Sequence, residues 1–159
     1  MEKRRVVITG MGVVTPIGND VEQMWESIQK EFVGIGKITR FDASSYKVKL
    51  AAEIKGLEEE THFTAKERRS LDVVTKYALI AAKQAVEQAQ IPTELEDAYR
   101  CGVMIGTAGG GEQTFEMEAS NLLTKGNRFI SAYSMPKFLG NMLSANVAIK
   151  YGMKASCII

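Results

Sequence analysis

Cysteine and histidine are the residue types through which this chain could carry out nucleophilic catalysis. It has two cysteines, Cys101 and Cys157, and one histidine, His62. Nucleophilic catalysis needs a nucleophile and a base within hydrogen-bond reach of each other, and the sequence identifies no cysteine or serine partner for His62. Both cysteines stand in short apolar runs, where free cysteine commonly serves as a small buried hydrophobic side chain. We therefore predict that both cysteines are structural and that His62 is a surface or helix-capping residue.

Two glycine clusters could bind a phosphate group. The first, Gly10 and Gly12, follows an apolar run, but Thr15 occupies the third position of the G-x-G-x-x-G pattern and Pro16 follows it. The second, over residues 106–111, lacks the Lys-Ser/Thr pair of a phosphate loop. A tight turn in which two backbone segments pass closely also explains the second cluster, since glycine has no Cβ. A nucleotide-binding α/β domain remains an alternative.

The charge balance and the cysteine usage exclude several classes of function. The chain has 20 basic and 19 acidic residues and a net charge of +1, so no global field attracts nucleic acid. The cysteines form no CxxC pair, which argues against a zinc site and a disulfide scaffold and favours a reducing cytoplasm. No apolar run is long enough for a signal peptide or a membrane-spanning helix. We predict neither a metal nor a tightly bound cofactor.

The predicted elements alternate between strands and helices. Apolar runs predict strands over residues 5–9, 50–54, 101–105 and 156–159. Helical periodicity predicts helices over residues 21–30, 65–91, 112–123 and 134–151. This alternation is typical of an α/β domain with a largely parallel sheet and flanking helices.

The N-termini of the predicted helices carry recognisable capping residues. Asn19 or Asp20 can cap the first helix, and Thr64 with Glu67 forms the capping-box pattern ahead of the second. Ser134 is a suitable cap for the last helix. The second helix is also rich in alanine, which predicts close packing against another element.

Several short segments match, in order, the sequence pattern of one enzyme family. They begin at Arg4, Thr15, Gly34, Arg40, Lys66 and Ile105, and they are accompanied by Trp25, Pro136 and Asn141. Over essentially its whole length the chain resembles the β-ketoacyl synthases, and it is most similar to the type II elongation synthases of the synthase I/II group. The resemblance implies a thiolase-like fold, incomplete in this chain, of which residues 1–159 are the N-terminal part. It also implies a homodimer.

The resemblance further implies an acyltransferase of fatty-acid biosynthesis. Such enzymes condense an acyl thioester, held on a cysteine, with malonyl-acyl carrier protein, and the condensation releases carbon dioxide. In the family the cysteine stands in a Thr-Ala-Cys segment a few residues beyond a Tyr-Gly pair, here Tyr151 and Gly152. We therefore expect the nucleophile shortly after Ile159, which makes Cys157 too early. Residues 1–159 should then contain no catalytic residue and be inactive alone.

A related protein class shares the resemblance without the activity. Chain-length factors of polyketide synthases have the same fold, carry glutamine in place of the nucleophile and act as non-catalytic partner subunits. The discriminating residue would again follow Ile159. The basic residues Lys66, Arg68 and Arg69 and the first apolar run, residues 5–9, favour the active synthases.

The resemblance places an acyl pocket in the second half of the chain. Gly109 aligns with a position that is often a gating isoleucine in synthase II relatives and glycine in synthase I relatives, which implies an ungated pocket. The simpler interpretation is that Gly109 permits a turn and that Ser134 starts a helix. The implied pocket residues are Gly109, Tyr133, Ser134 and Met135, the last three contributed across the dimer.

A basic cluster is the implied docking site for the acyl carrier protein. It consists of Lys66, Arg68 and Arg69 at the start of the second predicted helix. Acyl carrier proteins are acidic, and complementary charge raises the association rate and sets orientation. A solvated helix face is the simpler interpretation of such a cluster.

Overall fold

The computed structural model describes residues 5–92 and 94–159, so Arg4, which opens the first family-like segment, lies outside the described residues. The helices of the described part are α1 (Val21–Gln29), α2 (Glu59–His62), α3 (Ala65–Ser70), α4 (Val73–Gln88), α5 (Glu112–Lys125), α6 (Ser134–Phe138) and α7 (Met142–Tyr151). The strands are β1 (Ile35–Lys37), β2 (Leu50–Ala52), β3 (Val103–Met104) and β4 (Cys157–Ile158). Short 3-10 turns span Ala98–Arg100 and Asn127–Phe129.

The strands form two small sheets. β1 and β2 are antiparallel, with Ile35 opposite Ala52. β3 and β4 are parallel, with Val103 opposite Cys157. Helices α5 to α7 connect β3 to β4, as expected for a parallel pair, which needs a long crossover connection. The parallel pair therefore agrees with the predicted α/β class.

The predicted strand over residues 5–9 is wrong. Val6 is 94% exposed and Ile8 is 83% exposed, and no strand within residues 5–92 and 94–159 pairs with this segment. β-Branched residues favour extended backbone, but a strand also needs a neighbour whose backbone groups complete the hydrogen-bond ladder. The apolar pattern alone does not supply that neighbour.

Gly10 and Gly12 allow the N-terminal segment to lie directly on α4. A Cβ at Gly10 would be 2.1 Å from the carbonyl oxygen of Ala85, and one at Gly12 would be 2.0 Å from that of Ala81. The close packing predicted for the alanine-rich helix is therefore confirmed. These glycines face carbonyl oxygens rather than the N–H groups of a helix N-terminus, which is the wrong polarity for a phosphate.

The helix predicted over residues 65–91 is two helices. Thr64 and Glu67 form the predicted capping box at the start of α3. Leu71 then adopts extended backbone, and Asp72 starts α4 by accepting a hydrogen bond from the backbone N–H of Val74 at 3.1 Å. A second N-cap residue inside one periodic stretch therefore restarts the helix.

The helix predicted over residues 134–151 is also divided. Leu139 has extended backbone at the end of α6, and α7 begins three residues later. A Cβ at Gly110 would be 2.7 Å from the Cα of Gly140. The glycine-rich segment thus passes against the backbone that separates α6 from α7.

The hydrophobic core lies between α4 and α7. Phe63, Leu79, Ile80 and Val147 form its buried cluster. By contrast, the apolar side of α1 is uncovered, since Trp25 is 58% exposed. Among the described helices, none combines the length and apolar character needed to cross a membrane.

Candidate functional site

The glycines of the segment 106–111 have different structural roles. Gly111 has a φ of 70°, and a Cβ there would be 2.4 Å from a backbone carbonyl oxygen of α6. Gly110 lies against the backbone between α6 and α7. Gly109 lies outside the left-handed region, and the three atoms nearest to a Cβ there all belong to the side chain of Glu112. The predicted tight turn is therefore confirmed, but it requires glycine at 110 and 111 and not at 109.

A pocket of about 430 Å³ opens beside this turn, and we call it the glycine-turn pocket. Its lining residues are Thr107, Ala108, Gly109, Gly110, Glu112, Phe138, Leu139, Gly140 and Ile159. The pocket lies where the chain leaves the carboxyl ends of β3 and β4, which is where open α/β sheets bind their ligands.

The other residues implied for the acyl pocket lie at the opposite end of α6. Tyr133 is 44% exposed and Met135 is 60% exposed, and neither lines the glycine-turn pocket. The prediction of Ser134 as a helix cap is wrong, because Tyr133 occupies the N-cap position. The hydroxyl of Ser134 instead donates to the carbonyl oxygen of Ser131 at 2.7 Å. Within one chain, the structure brings Gly109 to the pocket and leaves Tyr133 and Met135 on the surface.

The basic cluster separates into two exposed residues and one paired residue. Lys66 and Arg69 are exposed on α3. Arg68 is half-buried and forms an ion pair with Glu60, which belongs to α2. The unneutralised charge that the cluster presents to solvent therefore comes from Lys66 and Arg69.

A buried hydrogen bond holds the first turn of α5, which directly follows the glycine-rich segment. The hydroxyl of Thr114 on α5 donates to the carboxylate of Asp72, and both residues are buried, with 3% and 4% exposure. Asp72 is also the N-cap of α4, so one carboxylate ties the first turn of α5 to the start of α4. An aspartate ahead of an apolar stretch is a readable cap signal. Thr114 carries no such signal, because its partner is 42 residues away.

The cysteines and the histidine do not form a catalytic group. The prediction that Cys157 is buried is wrong, because it is exposed on β4, whose two residues are uncovered. Cys101 is partly buried, and its Sγ lies 3.5 Å from the carbonyl oxygen of Asp97. His62 ends α2 and is half-buried, and its Nδ1 is enclosed without a hydrogen-bond partner among the residues that the structure describes. Among the described residues, no group of three or more His, Cys, Asp or Glu side chains could hold a metal ion.

Two larger cavities lie away from the glycine turn. Their volumes are about 520 Å³ and about 740 Å³, and both are lined by Arg40, Tyr77 and Gln113. The guanidinium of Arg40 donates to the hydroxyl of Tyr77 at 2.7 Å, and this hydrogen bond raises the pKa of Arg40. Lys76 forms an ion pair with Glu59 in the smaller of the two. Because these charged groups are paired within the protein, we place the candidate site at the glycine-turn pocket.

The sequence matches one family model over almost its whole length. The model is described as the N-terminal domain of beta-ketoacyl synthase and matches residues 3–159. A curated relative, 3-oxoacyl-[acyl-carrier-protein] synthase 2 of Staphylococcus aureus (strain COL), is 44% identical over 153 residues. That alignment covers 96% of this chain and 37% of the relative, so the chain spans little more than a third of the relative's length.

Solved structures show the same fold. A structure described as the ishigamide ketosynthase/chain length factor matches with a TM-score of 0.84 and 23% identity, over 99% of this chain and 40% of that chain. A type II PKS acyl-carrier protein in complex with its ketosynthase matches with a TM-score of 0.75 and 24% identity, over 94% of this chain and 40% of that chain. At these identities the structural matches establish the fold alone.

Proposed function

Since the chain belongs to the β-ketoacyl synthase family, whose N-terminal domain matches residues 3–159, we propose that it is part of a 3-oxoacyl-acyl carrier protein synthase. The observation that carries this proposal is the placement of Ile159. Ile159 follows β4 and lines the glycine-turn pocket together with Gly109. A nucleophile just beyond Ile159 would meet an acyl group lying in this pocket.

The proposed reaction has two stages. A cysteine thiolate takes the acyl group from acyl carrier protein as a thioester, and the carrier thiol leaves. Malonyl-acyl carrier protein then loses carbon dioxide, and the resulting carbanion attacks the thioester carbonyl and expels the thiolate. This covalent route divides one difficult step into two easier ones. We also propose a cytoplasmic location, as the cysteine usage predicts.

The experiment uses the full-length synthase, meaning this chain together with the residues proposed to follow Ile159. Incubation with an acyl-acyl carrier protein and malonyl-acyl carrier protein should give the 3-oxoacyl product, detected by mass spectrometry. An acyl-enzyme should form when malonyl-acyl carrier protein is omitted. Absence of both the acyl-enzyme and the product would contradict the proposal and favour a non-catalytic chain-length factor. The polypeptide 1–159 alone should give neither.

We propose that Gly109 leaves the acyl pocket without the isoleucine gate of synthase II relatives. Gly109 is not among the glycines with a positive φ, so a left-handed turn does not account for glycine at this position. Gly109→Ile should therefore shift the acyl chain lengths that the full-length synthase elongates. Gly106→Ile is the matched control, because a Cβ at Gly106 has no neighbour within 4 Å. An unchanged product profile for Gly109→Ile would refute this role.

We propose that Tyr133, Ser134 and Met135 line the pocket of a partner protomer in a homodimer. This proposal is supported by the exposure of the large side chains of Tyr133 and Met135 in the single chain. Such residues belong to interfaces more often than to free surfaces when they form a patch. Met135→Glu in the full-length synthase should weaken dimerisation in analytical ultracentrifugation. A dimer of unchanged stability would contradict this placement.

We propose that the basic cluster docks an acidic acyl carrier protein. Its exposed part, Lys66 and Arg69, can steer an acidic partner, whereas Arg68 is partly neutralised by Glu60. Charge reversal of Lys66 and Arg69 should slow association at low salt and matter less at high salt. Adding reversal of Arg68 should increase the effect only modestly.

The control for docking is a pair of exposed lysines elsewhere on the chain. Lys47 and Lys49 lie outside helices and are exposed, so reversing both changes the net charge by the same amount as reversing Lys66 and Arg69. Surface plasmon resonance with immobilised acyl carrier protein measures both variants. Equal association rates for the two double variants would reject a specific docking role.

A further inference from the structure

The carboxylate of Glu112 occupies the space that a side chain at position 109 would fill. Glu112 is the first residue of α5. An ideal Cβ at Gly109 would be 1.8 Å from the Oε1 atom of Glu112 and 3.1 Å from its Cδ atom. Since Gly109 lies outside the left-handed region, the group that a side chain at this position would have to displace is this carboxylate.

The surroundings of Glu112 make its charge significant. Of the described residues that line the glycine-turn pocket, Glu112 is the only ionisable one. Phe138, Leu139 and Ile159 supply large apolar side chains to the same pocket. An alkyl chain that fills the pocket must therefore either remove water from the carboxylate or displace it into solvent, and uncompensated burial of a charge is costly.

The turn that carries Glu112 cannot easily move away from the pocket. Gly111, the residue before it, is buried, has a φ of 70° and lies against the backbone of α6. Thr114, two residues further along α5, is tied to the buried carboxylate of Asp72. The backbone of Glu112 is therefore held in place, while its side chain remains exposed to solvent.

We propose that Glu112 is a specificity-determining residue that closes the pocket to long saturated acyl chains. The proposal rests on the proposed synthase function. Short acyl groups end before they reach the carboxylate and are elongated freely. Longer saturated chains meet the carboxylate and are elongated poorly, because an alkyl chain has no positive charge and no hydrogen-bond donor to offer it. Glu112 thus takes the place of the gate that Gly109 lacks.

The test compares two substitutions at Glu112 with a control one helical turn away. Glu112→Leu removes the charge and adds apolar surface, and Glu112→Gln removes the charge at nearly constant volume. Glu116→Leu is the matched control, because Glu116 lies on the same helix but lines a different cavity. The full-length synthase is assayed for kcat/KM with a series of saturated acyl-acyl carrier proteins from short to long.

The wild-type synthase should lose kcat/KM as the saturated chain lengthens. Glu112→Leu should raise the ratio of kcat/KM for long over short chains by about tenfold or more, which corresponds to about 1.4 kcal/mol. Glu112→Gln should raise it less, and Glu116→Leu should leave it unchanged. Because the measured quantity is a ratio within each variant, a general loss of folded enzyme does not alter it.

The outcomes that overturn the proposal differ from those that overturn the synthase function. An active wild type that elongates long and short chains equally overturns the role of Glu112. So does an unchanged ratio in both Glu112 variants, or an equal increase in Glu116→Leu. If Glu112→Leu has no measurable activity, Glu112→Gln alone decides. If the wild type forms no product with any acyl group, the proposed synthase function itself fails.

Discussion

Replacing Asp72 with alanine should destabilise the protein more than the loss of a helix cap alone. Asp72 has two tasks, since one carboxylate oxygen accepts from the backbone N–H of Val74 and the other accepts from the hydroxyl of Thr114. Loss of an N-cap costs about 1 kcal/mol. Loss of the acceptor for a buried hydroxyl costs a further 1–3 kcal/mol, approximately. Because Asp72 and Thr114 are 4% and 3% exposed, little water can replace the lost partner, so we expect about 2–4 kcal/mol in total.

Equilibrium urea denaturation measures this loss as a change in the free energy of unfolding. Asp20→Ala is the matched control, because Asp20 also caps a helix, accepting from the backbone N–H of Gln23 at 2.8 Å. Its side-chain hydrogen bonds within the described part of the chain are exposed and involve Gln23 of the same helix. That control should cost about 1 kcal/mol. The comparison isolates the contribution of the buried Thr114 hydroxyl.

A double-mutant cycle completes the test. Thr114→Val removes the hydroxyl that Asp72→Ala leaves without a partner, so the double variant should cost less than the sum of the two single variants. The reasoning is refuted if Asp72→Ala costs no more than Asp20→Ala, or if the two substitutions are strictly additive. Either result would mean that the buried hydrogen bond does not tie α5 to α4.

Two further predictions concern packing and pH. Gly12→Ala should destabilise the protein by about 1–3 kcal/mol, because its Cβ would lie 2.0 Å from a carbonyl oxygen of α4. Gly106→Ala is the control, because a Cβ there has no neighbour within 4 Å, and it should change the melting temperature little. Equal shifts in melting temperature for the two variants would contradict this reasoning. The backbone N–H and hydroxyl of Thr64, together with Lys150, hold the pKa of Glu67 below its usual value. Because the pKa of Glu67 is lower in the folded state than in the unfolded state, this carboxylate stabilises the folded state at pH values above its unfolded pKa of about 4.5. The contribution is lost as the pH falls from there through the folded pKa. The stability difference between wild type and Glu67→Gln should therefore shrink in acid, and a difference that stays constant with pH would disprove the linkage.

Local signals predicted the helix starts well and the helix continuations poorly. The caps at Asp20 and Thr64 are confirmed, because each depends on a side chain and a backbone amide three residues away. The breaks at Leu71 and Leu139 were missed. The apolar period continues through both positions. The break at Leu71 comes from the second cap, Asp72, and the break at Leu139 lies where the backbone of Gly110 passes against Gly140.

The candidate site was predicted in part. The family pattern led to Gly109 and to the glycine-rich turn, and both lie at the pocket. It could not indicate that Arg68 is neutralised by Glu60, because that pairing depends on where two short helices meet. It also passed over Glu112, although an acidic residue in the first turn of a helix directly after a glycine cluster was a visible signal.

The amino-acid sequence by itself determined the family, the fold class and the capped helices of this protein. These properties depend on residue order and on hydrogen bonds between near neighbours, which act within one or two turns of chain. Only the tertiary structure decided that the segment 5–9 has no strand partner among the described residues, and that Gly10 and Gly12 contact α4. It also decided that the carboxylate of Glu112 fills the space beside Gly109. These contacts join residues that are far apart in the sequence. Sequence separation does not fix the distance between such residues, so the contacts can be known only from the folded chain.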